Sequence, residues 1–368
     1  MAVLRWCKKN IVFCVAACAA AITCFFVPPD KTYFGYFDWK TLACLFLTLA
    51  VVCALRNIKF FTIVARRLVK ISGNLRSLFL MLIAITFLGS MLIANDMALI
   101  TFLPLGYFAL SVTKQEKYMA YLFILQNISA NLGGMLTPFG NPQNLYLYSY
   151  FNIPTNEFCG IMLPPFLLAI TLLALCCLPV KPIRLEIVDT FKERLNKKRT
   201  VLYLLLFTLS LLIVFRIVPY PIGLVVITAI LLWADRDALL MVDYGLLGTF
   251  FFFFIFAGNL ARIESVNHLF AQLLAKDTLL VSALSCQVIS NVPTAILLSQ
   301  FTDNYHALLL GVNIGGTGTL IASLASLITF SEFRVLYPGH GKQYFWMFTA
   351  INVGFLVVMT IAAKLFFL

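Results

Sequence analysis

Charged side chains are scarce in this sequence. Only 11% of its 368 residues are Asp, Glu, Lys or Arg, whereas 62% are hydrophobic, and the mean hydropathy is +0.96. A soluble domain needs a polar surface that this composition does not supply, while a membrane helix needs roughly 20 apolar residues to cross about 30 Å of hydrocarbon. The sequence therefore predicts an all-α, polytopic membrane protein.

Metal-ligand spacings are missing as well. The three histidines are isolated from one another, and the ten cysteines are scattered through apolar runs without a C-x-x-C pair. We interpret the cysteines as small buried hydrophobic residues. No nucleophile stands beside a base in the sequence pattern, so we predict no enzyme, no catalytic residue, no protein-bound metal and no cofactor.

The net charge of +12 does not indicate nucleic-acid binding, because the basic residues occupy a few short loops. They are concentrated at Arg56–Arg76, at Lys114 and Lys117, and at Lys181–Arg199, whereas Phe151–Gly160 has none. Such clusters are typical of cytoplasmic loops under the positive-inside rule. They predict a multi-pass protein of the cell (inner) membrane with a cytoplasmic N-terminus and an external C-terminus.

Apolar runs mark the candidate spans. They lie at about 10–27, 40–56, 119–150, 161–180, 201–218, 220–235, 243–260, 305–330 and 343–368. Arg5, Lys8 and Lys9 precede the first run, which we interpret as a membrane helix rather than a signal peptide.

Two further apolar segments, about 75–112 and 277–303, are interrupted by polar residues at Asn95-Asp96 and at Ser290-Asn291. We interpret each as a re-entrant hairpin, which a membrane tolerates only where the tip is buried in protein or lines a cavity. The charge pattern favours a first hairpin that opens inward and a second that opens outward.

The two halves of the chain follow the same order of segments. Each has two spans, an amphipathic segment, a hairpin, a broken span and a last span, and NLGGMLT (Asn131–Thr137) echoes NIGGTGT (Asn313–Thr319). An extra helix between the halves inverts the second copy. We therefore predict repeats at 1–180 and 219–368, joined by a basic loop and a helix at 181–218. Inverted repeats with discontinuous helices are typical of secondary transporters.

Polar residues at the two hairpin tips and the two helix breaks form the candidate site. By the echo, Asn141 corresponds to Ser323 and Asn144 to Ser326. The predicted substrate- and ion-binding residues are Asn95, Asp96, Thr137, Gly140, Asn141, Gln143, Asn144, Ser290, Asn291, Thr294, Thr319, Ser323 and Ser326. Na⁺ is a candidate ligand near Asn95, Asp96 and Asn141. The alternative is that these groups only pack helices together, as small residues and amides commonly do in membranes.

Asp96 is the acid that this pattern places near the middle of the membrane. An intramembrane carboxylate is costly, which makes a functional role the default hypothesis. It could carry a proton, pair with a coupling cation, or remain a protonated structural acid.

At these motifs the chain resembles the ion transporter superfamily, in its arsenite permease, sodium/proton antiporter and citrate-transporter-like branch. The similar stretches are IANDMALITFLPL, GGMLTPFGNPQNLYLY, ISNVPTAILL and LIASLASLITF. Related divalent-anion symporters carry Ser-Asn-Thr at both tips, where this chain has Ala94-Asn95-Asp96 and Ser290-Asn291-Val292. The resemblance implies a homodimer and an elevator-type transport domain made of the hairpins and broken helices.

The sequence thus predicts a secondary active transporter that moves a small anion, an oxyanion such as arsenite or a carboxylate such as citrate, coupled to H⁺ or Na⁺. Its expected partners are that small molecule or ion, membrane lipid and a second copy of the chain, but no nucleic acid. Sodium/proton antiport is the first alternative. An ion channel is the second, and it would require a continuous polar lining rather than two paired polar clusters.

Overall fold

Helices dominate the computed structural model, which describes residues 11–185 and 195–368. In the first half they are α1 (Ile11–Phe26), α2 (Trp39–Asn57), α3 (Phe60–Val69), α4 (Leu75–Ile93), α5 (Asn95–Val112), α6 (Met119–Gly133), α7 (Pro142–Tyr150) and α8 (Thr155–Cys177). The chain continues with α9 (Lys197–Val214), α10 (Tyr220–Ala234), α11 (Arg236–Leu240), α12 (Tyr244–Ala261), α13 (Glu264–Ile289), α14 (Asn291–Leu298), α15 (Tyr305–Ile314), α16 (Leu324–Leu336) and α17 (Gly341–Ala362).

Seven of the described helices are long and apolar enough to cross a membrane: α2, α4, α5, α8, α12, α13 and α17 with the turn that extends it to Phe367. The predicted runs at 119–150 and 305–330 are each divided into two helices, α6 with α7 and α15 with α16. Helix α8 begins six residues before its predicted run because Pro154 precedes a polar first turn that an apolar pattern does not mark. Arg5, Lys8 and Lys9 and the middle of the basic loop 181–199 lie outside the described residues.

The two amphipathic segments that the sequence predicts, Ile58–Lys70 and Ile263–Lys276, lead into the two hairpins. In the first half α3 is followed by Asn74, whose Oδ1 accepts a hydrogen bond from the Ser77 N–H at 2.9 Å and so caps α4. In the second half the chain is helical from Glu264 but has non-helical angles at Asp277, whose carboxylate accepts a hydrogen bond from the Leu280 N–H in the same way. A side-chain helix cap, after a short break in the first half and at a kink in the second, therefore separates each amphipathic segment from the hairpin that follows it.

Helices α1 and α12 pack along each other, and α2 packs against α9 and α10. At one end of the first pair, Arg262 forms an ion pair of 2.7 Å with Asp30. The hydrogen-bonding Arg262 guanidinium holds the pKa of the Asp30 carboxyl below its ordinary value. A second group of helices contains the hairpins: α4 packs on α5 and α6, and α13 packs on α14 and α15.

Candidate functional site

The two hairpins turn in the same way. At each tip a single residue is non-helical, Ala94 with φ 64° and ψ 150° and Ser290 with φ 72° and ψ 158°. The next residue, Asn95 or Asn291, begins the following helix. Its Oδ1 accepts a hydrogen bond from the backbone N–H of the residue after it, at 2.9 Å in both hairpins. The first interruption therefore lies at Ala94, one residue before the predicted Asn95-Asp96, because the asparagine already belongs to the second arm.

The backbone angles of both tip residues lie in a region that is essentially reserved for glycine. We therefore expect Ala94→Gly to stabilise the folded protein by about 1 kcal/mol. Glycine relieves the backbone strain of the tip, and its greater conformational freedom in the unfolded chain offsets part of that gain. Ala98→Gly, at a buried position one turn into α5, is the matched control, and it should destabilise by about 1 kcal/mol. Melting temperatures of the purified proteins decide the sign, and a lower value for Ala94→Gly would contradict a strained tip.

The two helix breaks are also built alike. Between α6 and α7 the chain leaves the helix through a 3₁₀ turn at Gly134–Leu136, and between α15 and α16 it is non-helical from Gly315 to Ser323. Asn141 (φ −134°, ψ 140°) and Ser323 (φ −151°, ψ 143°) are extended residues that directly precede α7 and α16. Gly140 approaches Gly134 so closely that an added Cβ would lie 2.3 Å from the Gly134 carbonyl oxygen.

Two asparagines connect the halves across the centre of the molecule. Asn131 Oδ1 in α6 accepts hydrogen bonds from Asn95 Nδ2 at 3.1 Å and from Ser323 Oγ at 2.8 Å. Asn313 Oδ1 in α15 accepts one from Asn141 Nδ2 at 3.2 Å. Each asparagine thus binds the residue that directly precedes α16 or α7 in the other half of the chain, and all five side chains are buried.

The remaining amides of the first break extend this cluster. Asn313 Nδ2 donates to Asn144 Oδ1 at 2.6 Å, and Gln143 Nε2 lies 3.5 Å from Asn313 Oδ1. Asn144 Nδ2 donates to the carbonyls of residues 134, 135 and 137 at 3.2–3.4 Å, which holds the break loop against α7. Asn144 therefore serves the loop and the second half of the chain at once.

Ser326, the counterpart of Asn144, lies in a second polar group. Asn127 Nδ2 donates to Ser326 Oγ at 3.3 Å, and Thr329 Oγ1 donates to Asn127 Oδ1 at 3.4 Å. Asn352 in α17 approaches the same amide at 3.5 Å. These contacts join α6, α16 and α17 next to the central cluster.

The two predicted threonines of the breaks bind the hairpins. The Thr137 hydroxyl donates to the Met91 carbonyl at 2.8 Å, and the Thr319 hydroxyl donates to the Gln287 carbonyl at 3.2 Å. Both acceptors lie four residues before the asparagine of a hairpin tip. The two hydroxyls therefore tie each break to its own hairpin in equivalent positions.

The second tip is also fastened to its break. The Asn291 N–H and the Ser290 hydroxyl donate to the Ala322 carbonyl at 3.0 and 3.4 Å. The Thr294 hydroxyl donates within its own helix, to the Ser290 carbonyl at 2.7 Å. Of the predicted residues of the second half, the structure thus brings Ser290 and Asn291 to Ala322, next to Ser323.

Several buried polar atoms of the site have no hydrogen-bond partner among the described residues. They are Asp96 Oδ1, Asn131 Nδ2, Asn141 Oδ1 and Gln143 Oε1. An unpaired polar atom in a low-dielectric interior costs about 1–3 kcal/mol, so such atoms are expected where a ligand binds. Within the described chain no group of three His, Cys, Asp or Glu side chains is placed to hold a metal ion.

The predicted site does not include three amides that the structure places there: Asn131 and Asn313 in the central cluster, and Asn127 in the polar group next to it. The signal was present for two of them, because Asn131 and Asn313 are the first residues of the echoed heptapeptides. The asparagine that opens both heptapeptides is therefore the sequence signal for these two contacts.

The profile of the citrate transporter family matches residues 1–307. The chain belongs to this family. It is 35% identical to an uncharacterized transporter of Methanocaldococcus jannaschii, MJ0456, over 302 residues that cover 80% of this chain and 81% of the relative. It is 28% identical to the inner membrane protein YbiR of Escherichia coli over 356 residues, covering 92% and 93% of the two chains.

A shorter match joins it to the silicon efflux transporter LSI3 of Oryza sativa subsp. japonica. The two are 32% identical over 155 residues, which cover 41% of this chain and 31% of the relative. The predicted resemblance to the citrate-transporter-like branch is confirmed, and this citrate transporter family member is a multi-pass membrane transporter, not an enzyme.

Proposed function

We propose that this chain is a secondary active transporter in which a small anion and a coupling ion, H⁺ or Na⁺, bind between the hairpin tips and the helix breaks. The central observation is that α7 and α16 both begin at one buried amide cluster, at Asn141 and Ser323. Half-helix N-termini favour anions, and amide and carbonyl oxygens favour cations. The unpaired oxygens of Asp96, Asn141 and Gln143 support a cation next to the anion.

We further propose two inverted repeats, 1–180 and 219–368, joined by 181–218. In this alignment α1, α2, α5 and α7 of the first repeat correspond to α10, α12, α14 and α16 of the second. Helix contacts support it, because they occur in matching pairs. Helix α1 packs on α12 as α10 packs on α2, and α5 packs on α16 as α14 packs on α7. The first hairpin tip contacts Asn131 in the last turn of α6, just before a helix break, and the second tip contacts Ala322 within the other break. Tips at the level of a helix break favour re-entrant hairpins over complete spans.

Alternating access would then follow from movement of the hairpins and broken helices, as one body, against the helices around α2 and α12. This is the elevator-type mechanism that the sequence predicts. A homodimer, a cytoplasmic N-terminus and an external C-terminus belong to the same proposal, and the basic loops support that orientation.

The substrate of this proposal is an oxyanion or a small carboxylate. The family description favours citrate-like carboxylates, whereas the name of the Oryza relative, a silicon efflux transporter, favours an inorganic substrate. The amides and hydroxyls of the cluster suit either, because both substrates present several oxygens. Sodium/proton antiport is the second candidate, and the unpaired carboxylate oxygen of Asp96 favours it.

A thermal-shift screen of the purified protein tests the proposal. Citrate, succinate, phosphate, arsenite and silicic acid are added singly, with and without Na⁺, from pH 5 to pH 8. A ligand that binds only the folded state raises the stability by about 2.7 kcal/mol at 100 times its Kd. We expect one class of probe, the carboxylates or the inorganic acids, to stabilise the protein and Na⁺ or acidic pH to strengthen its effect. Stabilisation by Na⁺ alone would support antiport, and no stabilisation by any of them would contradict the site.

A further inference from the structure

The connection between α9 and α10 contacts α7, the helix that begins at the candidate site. Arg216 Nη2 donates to the Tyr148 carbonyl in α7 at 2.6 Å, and the guanidinium carbon lies 4.2 Å from the centre of the Tyr148 ring. Arg216 Nε is buried and has no partner among the described residues. The side chain thus holds one point on α7 by a charge-assisted hydrogen bond and by stacking.

A second contact from the same connection lies near the start of α7. The Phe215 ring meets the Phe139 ring edge-on, with centroids 5.9 Å apart, and Phe139 belongs to the break loop. Two consecutive residues therefore touch the segment just before α7 and the last turn of α7. The connection that carries them belongs to neither hairpin and neither broken helix.

Arg216 also ends helix α9. Its φ of 65° lies in the left-handed region, as is common for the residue after a helix. Its N–H donates to the Ile213 carbonyl at 3.0 Å, and the next N–H, that of Ile217, donates to the Leu212 carbonyl at 2.9 Å. The end of α9 therefore fixes the point from which the Arg216 side chain extends to α7.

Electrostatics connects this contact to the site. Helix α7 has nine residues, so its two ends are about 13 Å apart. Its N-terminus begins at Asn141 in the amide cluster, and its C-terminal carbonyls carry partial negative charge that a cation stabilises. The Arg216 guanidinium at the C-terminal end compensates this charge, while the positive N-terminal end of α7 is directed at the amide cluster. No Lys or Arg takes part in the described contacts of that cluster.

We propose that Arg216 is a positioning residue of the transport site: it holds the C-terminal end of α7, so that the positive N-terminal end of this helix stays directed at the transported anion. The inference rests on the proposed function for the identity of the ligand. The placement of α7 itself does not depend on that ligand.

Hydrogen–deuterium exchange of the full-length protein without ligand tests the placement. We compare wild type with Arg216→Gln, Arg216→Lys and the control Arg262→Gln, which removes an exposed arginine paired with Asp30. Arg216→Gln should speed exchange of the α7 amides about tenfold relative to those of α17, and the control should not. Equal α7 exchange in wild type and Arg216→Gln overturns the inference.

Binding of the anion that stabilises the wild type tests the electrostatic part. Arg216→Gln should weaken its Kd about tenfold, while Arg216→Lys, which keeps the charge, should stay within about threefold of wild type. Equal losses for Gln and Lys would reduce Arg216 to a packing residue and overturn this part. If none of the probe anions binds the wild type, the proposed function fails, and the exchange experiment alone decides the placement of α7.

Discussion

Replacing Asp96 with Asn is expected to uncouple transport from its driving ion while substrate exchange continues. Asp96 lies in the first turn of α5, directly after the Asn95 that touches the central cluster, and its buried Oδ1 has no described partner. Asn keeps the size of the side chain but can neither ionise nor neutralise a bound cation. We therefore expect ion-driven accumulation of the substrate to fall at least tenfold, since an intramembrane acid of this kind typically belongs to the ion pathway.

Proteoliposomes with an imposed pH or Na⁺ gradient provide the measurement. Accumulation and counter-exchange of the labelled substrate are recorded for wild type, for Asp96→Asn and for Asp303→Asn, an exposed acid that follows the second hairpin. Asp303→Asn should behave as wild type. If Asp96→Asn accumulates substrate with unchanged dependence on pH and Na⁺, Asp96 has no part in coupling and is a structural acid.

Replacing Asn313 with Ala is expected to be the most destabilising single change in the site. Its amide accepts hydrogen bonds from Asn141 and Gln143 and donates to Asn144 and to the Leu309 carbonyl. Truncation leaves buried partners unpaired, at about 1–3 kcal/mol for each group that finds no replacement. We expect a loss of about 3 kcal/mol in stability and no measurable transport.

A double-mutant cycle separates this effect from a general loss of packing. Asn313→Ala and Asn144→Ala should be strongly non-additive, because their shared bond of 2.6 Å is lost in either single variant. Asn57→Ala is the control, since Asn57 is an exposed amide that binds Asp235. Additive melting-temperature changes for the pair would show that the two amides act separately.

The helical framework of this citrate transporter family member follows from local features of the sequence. Apolar runs locate the spans, and the polar interruptions at the two tips locate the turns to within one residue. Asn141 is recognisable as the start of α7 because Pro142 is favoured in the first turn of a helix. These signals are contained within a few consecutive residues.

The side-chain partners could not be obtained in this way. Asn131 binds Ser323 and Asn313 binds Asn141, across separations of 192 and 172 residues. The local sequence around an amide in one half does not indicate which of the polar residues in the other half binds it. The role of Arg216 is hidden for the same reason, since its position after α9 is typical of any loop and only the packed structure brings it to Tyr148.

The crossed bonds between the halves also bear on how the protein is made. Membrane insertion proceeds from the N-terminus, so Asn131 and Asn141 enter the bilayer before Ser323 and Asn313 have been synthesised. At 5–20 residues per second this interval lasts roughly 10–40 s. During it the first half carries amides without their final partners in a low-dielectric environment. A nascent or truncated first half is therefore expected to be a substrate for membrane chaperones and proteases. Pairing of these amides in the complete cluster is expected to end this susceptibility.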